Sequence, residues 1–184
     1  DRSTWVSYLN LRVDYTEALF VVVVMILAST RPILKLAEAI LEKVAGLLGG
    51  SLKAWWLCIL TIGPILGSFI TEPAAMTIAA LLLADKLYEL EPSSRLKYAT
   101  IGLLFVNISV GGTLTHFAAP PVLMVSGPWE WGIGYMLTNF GWKAVIGILL
   151  GNTLYFFLFR REFEQLQEEF HLKTLKEDIQ KSYI

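Results

Sequence analysis

Cysteine is almost missing from this chain: Cys58 is the single one in 184 residues. One thiol makes neither a disulfide framework nor a cysteine-based metal site, so Cys58, inside an apolar block, is expected only to pack. Charge is scarce as well, at 17% of residues against about a quarter in a soluble domain. Neither sign dominates: 15 basic and 16 acidic residues leave a formal net charge of −1, which excludes the basic surface that nucleic acid requires. Enzyme motifs are lacking too. There is no GxSxG, HExxH, P-loop or paired cysteine set, so no catalytic residue, no cofactor and no resident metal is expected. An intramembrane hydrolase built on Glu72 and His116 would have neither a serine nucleophile nor a metal triad. The chain begins at Asp1 with no initiator methionine and no leader pattern, and is expected to be an internal piece of a longer protein.

What is abundant is apolar sequence, 55% of residues with a mean hydropathy of +0.57, gathered into long blocks. Blocks of that kind imply an all-α integral membrane protein embedded in a lipid bilayer. Residues 1–32 are expected to hold an external segment and a first transmembrane helix. The core of that helix, "ALFVVVVMILAST" at 18–30, falls short of the about 20 residues a span needs and is completed by Asp14–Glu17 and a snorkelling Arg31. Residues 33–50 place Lys35, Glu38 and Glu42 on one helical face and Ile33, Leu36, Ile40, Val44 and Leu47 on the other, with Gly49-Gly50 as a stop. That pattern predicts an amphipathic helix along the membrane interface.

Residues 51–92 contain an apolar block, 54–84, interrupted only by Glu72-Pro73. Each arm then has roughly 12–18 residues, about 18–27 Å of helix at the usual rise, too short for a comfortable crossing. Two such arms meeting at a polar tip predict a re-entrant hairpin. Residues 93–128 predict a discontinuous transmembrane helix. From 98 to 129 His116 is the only titratable side chain of charged type, yet the stretch overshoots a straight span, and "NISVGGTLTHFAAPP" at 107–121 should unwind it near 111–115. Residues 129–161 supply an external loop anchored by Trp129, Trp131 and Tyr135 and a last transmembrane helix ended by Arg160-Arg161. Residues 162–184 are a charged, helical, cytoplasmic tail. Most lysines and arginines fall in the connectors flanking the hairpin or after the last block. The positive-inside rule therefore predicts a hairpin opening from the cytoplasm, an external N-terminus and a cytoplasmic C-terminus.

Two polar stretches can carry chemistry. An ionised carboxylate at membrane depth costs several kcal/mol unless paired, solvated or protonated. Glu72 is thus either a helix cap, with Thr71 as its capping neighbour and Pro73 as first helical residue, or a group that binds a cation, a proton, or each in turn. The second stretch offers Asn107, Gly111, Gly112, Thr113, Thr115 and His116. An unwound helix frees carbonyls for a cation, hydroxyls add neutral oxygen ligands, and the histidine titrates near neutral pH. Asn152 and Thr153 in the last block are assigned to helix packing.

The order of amphipathic helix, hairpin with polar tip and broken span carrying "GGTLTHFAAPP" resembles one repeat of the ion-transporter superfamily. Its Gly-Gly-x-x-Thr-x-x-x-x-Pro signature matches Gly111, Gly112, Thr115 and Pro120. "SFITEPAAMT" with "NISVGGTLTHFAAPPVLM" is most similar to that superfamily's bacterial sodium/proton antiporter family. The likeness covers about residues 33–127, and the flanking spans follow by order alone. It implies a multi-pass protein of the bacterial inner membrane exchanging Na⁺ and H⁺, with a missing second inverted repeat or a homodimer partner completing the site. Dicarboxylate carriers have a Ser-Asn-Thr tip and the antiporter branch commonly an Asp-Asn pair, where this chain has Thr71, Glu72 and Pro73. The alternatives are an anion or dicarboxylate carrier of the same superfamily, or a non-transporting membrane fragment.

Overall fold

The computed structural model describes Val6, Tyr8, Tyr15, Leu19, Val22, Val23, Ile26, Leu27 and residues 30–182, and those residues form helices and connections with no strand. The expected external segment and first span, 1–32, lie for the most part outside the described residues, and Arg31 and Pro32, expected to close that span, instead open the next helix.

Helix α1, Arg31–Leu47, starts with a proline in its first turn, where a missing N–H costs nothing. It stops where Gly49 and Gly50 take φ of +92° and +59°, and Gly50 N donates back to Ala45 O. The face it turns to the rest of the molecule carries small residues. Ala37, Leu41 and Ala45 pack against Cys58 and Ile78, whereas Leu36 and Leu47 stay 61% and 78% exposed. Small side chains let α1 approach its neighbours closely. Of the aliphatic stripe, Val44 packs against the same cluster, Ile33 and Ile40 are half-buried, and Leu36 and Leu47 are left uncovered by the described residues.

Helix α2, Leu52–Ile70, is capped by Ser51, whose hydroxyl accepts from Ala54 N at 3.2 Å. Thr71 alone joins it to α3, Glu72–Lys86, which runs back beside it. The arms have 19 and 15 residues, about 28 and 22 Å long. Pro64 and Gly67 sit inside the first arm without ending it. Gly67 is where the arms touch: a Cβ there would stand 2.7 Å from Ala75 Cβ. By length and composition, Leu52–Ile70 and the helical stretch Ile133–Lys173 are long and apolar enough to cross a membrane.

After a 3₁₀ turn at Tyr88–Leu90, α4 spans Ser94–Gly111, capped by Ser93 accepting from Leu96 N. The chain then makes a 3₁₀ turn at Gly112–Leu114, leaves helical geometry over 115–119, and resumes in α5, Pro120–Ser126. The break is later and longer than the expected 111–115. Helix α6, Ile133–Met136, and a π turn at Leu137–Gly141 lead into α7, Trp142–Ser182. The expected last span and tail are thus one continuous helix of 41 residues. Nothing between them breaks it, and Arg160 and Glu164 pair across one turn at 3.1 Å.

Helix α2 lies at the centre, its Leu52, Trp56, Ile59 and Leu60 buried among Leu83, Leu96, Leu104 and Phe163. Phe163 of α7 meets the Trp56 ring edge-on at 5.2 Å. Polar contacts flank this packing. Leu52 N donates to Gln167, Ser93 N and Oγ donate to Glu162, and Lys173 pairs with Asp85 and Glu89 at 3.1 and 2.8 Å. Burial by itself would raise the Asp85 carboxyl, but hydrogen bonds from Lys86 and Lys173 outweigh it and hold it below its ordinary value. Both open ends of the hairpin, the start of α4 and the outer part of α7 therefore share one end of the molecule. Thr71 and the break in α4–α5 share the other.

Candidate functional site: a carboxylate between hairpin tip and helix break

Thr71 turns the chain in one residue and does so at φ 151°, ψ 153°, a region that only glycine reaches cheaply. That geometry costs about 1–3 kcal/mol, so its surroundings must hold it. They do so through backbone hydrogen bonds: Thr71 N donates to Gly67 O, Ala75 N donates to Thr71 O, and Glu72 N donates to Ala118 O at 3.2 Å. The last of these ties the hairpin tip directly to the unwound segment. Thr71 is buried, and its side chain makes no capping hydrogen bond, contrary to the cap expected for it.

Side chains reinforce the tie. Buried Ser68 donates its hydroxyl to Gly111 O, and Thr115 donates to Ser68 O at 2.7 Å. Gly111 rests on Pro64 so closely that an added Cβ would lie 2.6 Å from the Pro64 oxygen. Thr113 donates to Val110 O at 2.7 Å. The Gly111 carbonyl and the Thr115 hydroxyl, both expected as ion ligands, are therefore engaged in joining the tip to the break.

Glu72 opens α3, where the helix dipole favours negative charge. Its Oε1 accepts from Ser109 Oγ at 2.8 Å, across the gap to the last turn of α4. Its Oε2 lies 3.8 Å from the position a Cβ on Gly112 would take. Tip and break thus meet through Glu72, Gly112 and Ser109. Among the described residues, no lysine, arginine or histidine forms an ion pair with Glu72. A carboxylate held by one hydroxyl at a helix start, without a fixed counter-charge, can exchange a proton for a metal cation.

Asn107 lies elsewhere. Two residues from Ser109, about 200° round the helix, it faces the core. Its Nδ2 donates to Leu60 O at 2.9 Å and to Asn152 Oδ1 at 2.8 Å. Asn152 Nδ2 donates to Leu60 O at 3.1 Å and Thr61 Oγ1 at 2.8 Å. The packing role assigned to Asn152 holds, and Asn107 shares it: the two amides lock α2, α4 and α7 together. Asn152→Ala leaves buried donors and acceptors unpaired and should lower stability by about 1–3 kcal/mol. Thermal unfolding in detergent reads this, with Asn107→Ala in the same background costing little more because the two side chains act as a unit. His116 sits in the break with its Nδ1 buried and without a hydrogen-bond partner among the described residues. Its carbonyl accepts from Ser126 Oγ.

Ser68 and Ser109 escaped the sequence reading. Ser68 stands in the last turn of α2, three residues before the chain reverses at Thr71. Ser109 is the only hydroxyl between Asn107 and the glycine pair. Searches against curated proteins and solved structures gave no match. The model of the family described as "Putative Na+/H+ antiporter" matches residues 1–182, so the chain that carries this carboxylate belongs to that membrane-transport family.

Proposed function

We propose that this chain is one repeat of a cation/proton antiporter in which Na⁺ and H⁺ compete for Glu72. The observation that carries the reading is the Glu72 carboxylate itself, at the junction of hairpin tip and helix break, with a hydroxyl as partner and no fixed cation. A helix start without an acidic side chain suits an anion. Here Glu72 occupies that position, which turns an anion-favouring feature into a cation site. An anionic substrate 4 Å from it would meet about 4 kcal/mol of repulsion at an effective dielectric of 20, against the same amount of attraction for Na⁺. That sign decides against the dicarboxylate carrier.

The hairpin is read as re-entrant from the cytoplasm. Its two open ends lie with the basic connectors and the outer part of α7, which supports one cytoplasmic side for all of them and an external N-terminus. Its tip meets a break in another helix, a place where unwound backbone is tolerated in a bilayer if it lines a cavity. A second inverted repeat, or a second copy of the chain, completes the site from the Ser109 side, which the described residues leave exposed. The setting is the inner membrane of a bacterium.

Competition for one carboxylate has a direct kinetic signature. In proteoliposomes holding the full transporter, the apparent KM for Na⁺ should rise about tenfold for each unit that pH falls once protons occupy the carboxylate. An apparent Na⁺ affinity independent of pH would exclude a shared site.

A further inference from the structure

We propose that Ser109 is the second side-chain ligand of the cation at Glu72, its hydroxyl oxygen standing beside the carboxylate. The inference rests on the reading of Glu72 above. It starts from how Ser109 is placed. Helix α4 continues regularly to Gly111, so Ser109 stands in its last turn. That turn is fixed by contacts independent of the carboxylate: Gly111 is pressed onto Pro64, and the Ser68 hydroxyl holds the Gly111 carbonyl. On the other side, Glu72 is fixed by its own backbone N–H on Ala118 O. Two separately anchored backbones thus bring Ser109 Oγ and Glu72 Oε1 to 2.8 Å.

Accessibility separates this pair from the other hydroxyls of the junction. Ser68 and Thr115 are fully buried, and each donates to a backbone carbonyl. Thr113 donates to a carbonyl of its own helix. Ser109 is exposed and Glu72 only half-buried, so their oxygens form the open polar pair at the tip. The groups around Glu72 are Ser109 from α4, Gly112 from the 3₁₀ turn and, from the unwound segment, the Ala118 carbonyl. His116 is the titratable residue of that segment, and it makes no ion pair with Glu72.

A hydroxyl suits an exchange site because rotation changes its role. Toward an ionised Glu72 it donates its hydrogen. With Na⁺ bound, it turns a lone pair to the ion beside the carboxylate oxygens. When a proton takes the place of Na⁺, the new carboxyl O–H donates to Ser109 Oγ. One charge enters as one leaves, and in both states the Ser109 hydrogen turns away from Glu72 toward the open side of the pair, where Ser109 is exposed. A backbone N–H in the same place could only donate.

Removing the hydroxyl deletes a cation ligand and a hydrogen bond to the ionised carboxylate, and both losses favour the proton. The experiment is Na⁺/H⁺ exchange by the full transporter in proteoliposomes, measured against Na⁺ concentration and pH. Ser109→Ala should raise the KM for Na⁺ about tenfold and move the pH of half-maximal exchange up by about one unit, while the maximal rate falls less than about twofold. Ser109→Thr, which keeps the hydroxyl, should return both values to within about twofold of the parent. An alanine variant with the parent's KM and pH midpoint overturns the proposal. So does a threonine variant as impaired as alanine, which would report packing instead of oxygen chemistry. Glu72→Gln measured in parallel separates the two readings. If it still exchanges, the Glu72 site itself fails. If it is inactive while Ser109→Ala behaves as the parent, only the role of Ser109 fails.

Discussion

Glu72→Gln in the full-length transporter is expected to abolish sodium-driven proton movement in inverted vesicles while the protein stays folded. The substitution conserves shape and keeps an oxygen that accepts from Ser109, so the hydrogen bond at 2.8 Å survives. What goes is the charge and the proton site. A carboxylate 4 Å from a monovalent cation contributes about 4 kcal/mol at an effective dielectric of 20, close to a thousandfold in affinity. Exchange also needs a group that releases a proton when the cation arrives, and an amide has none. Folding should tolerate the change because, among the described residues, no ion pair is broken. A glutamine variant that runs as a folded protein and still moves protons with sodium would remove Glu72 from the mechanism.

Gly111→Ala should impair both stability and transport although it adds a single methyl group. The new Cβ would stand 2.6 Å from the Pro64 oxygen, 2.9 Å from its Cβ and 3.0 Å from its carbonyl carbon. Two of those atoms are backbone, so neither side can yield without moving α2 or α4. Overpacking of this kind costs about 1–3 kcal/mol. Displacement would also loosen the Ser68 hydrogen bond to the Gly111 carbonyl and draw Ser109 away from Glu72. The expected readings are a lowered unfolding temperature in detergent and a raised KM for Na⁺. Gly102→Ala is the control. It lies on the same helix with nothing within 4 Å of its added Cβ, and alanine there should stabilise by up to about 1 kcal/mol. Equal behaviour of the two variants would show that the contact between α2 and the end of α4 does not hold the site together.

Local chemistry made some elements readable in advance and left others hidden. The start of α1 at Arg31-Pro32, the Gly49-Gly50 stop and the turn at Glu72-Pro73 are visible because proline and glycine act on their own backbone. The face of α1 that packs inward is not legible from a helical wheel, which ranks residues by hydrophobicity. Close packing against α2 and α3 selected Ala37 and Ala45 for their size instead. The role of Pro64 and Gly67 inside α2 is not legible in the sequence, because it lies in close contact with Gly111 and Ala75. The break in α4–α5 was foreseen but its extent was not, since the segment 115–119 is held by partners as distant in sequence as Ser68 and Glu72.

Composition, block length and the two polar interruptions determined by themselves that the chain is helical and suited to a membrane. They also brought Glu72 and the Gly111-Gly112 pair forward as its unusual features. These follow from the cost of burying charge and from the backbone limits of proline and glycine, which act within a few residues. Only the tertiary structure decided which oxygens meet. Asn107, expected at the site, is turned into an amide lock with Asn152, and Thr115 and the Gly111 carbonyl hold the tip to the break. Ser109 became the partner of Glu72. Those assignments depend on the register of α2 against α4, set where Pro64 and Gly111 touch, and contacts between residues 47 positions apart leave no periodic trace in the sequence.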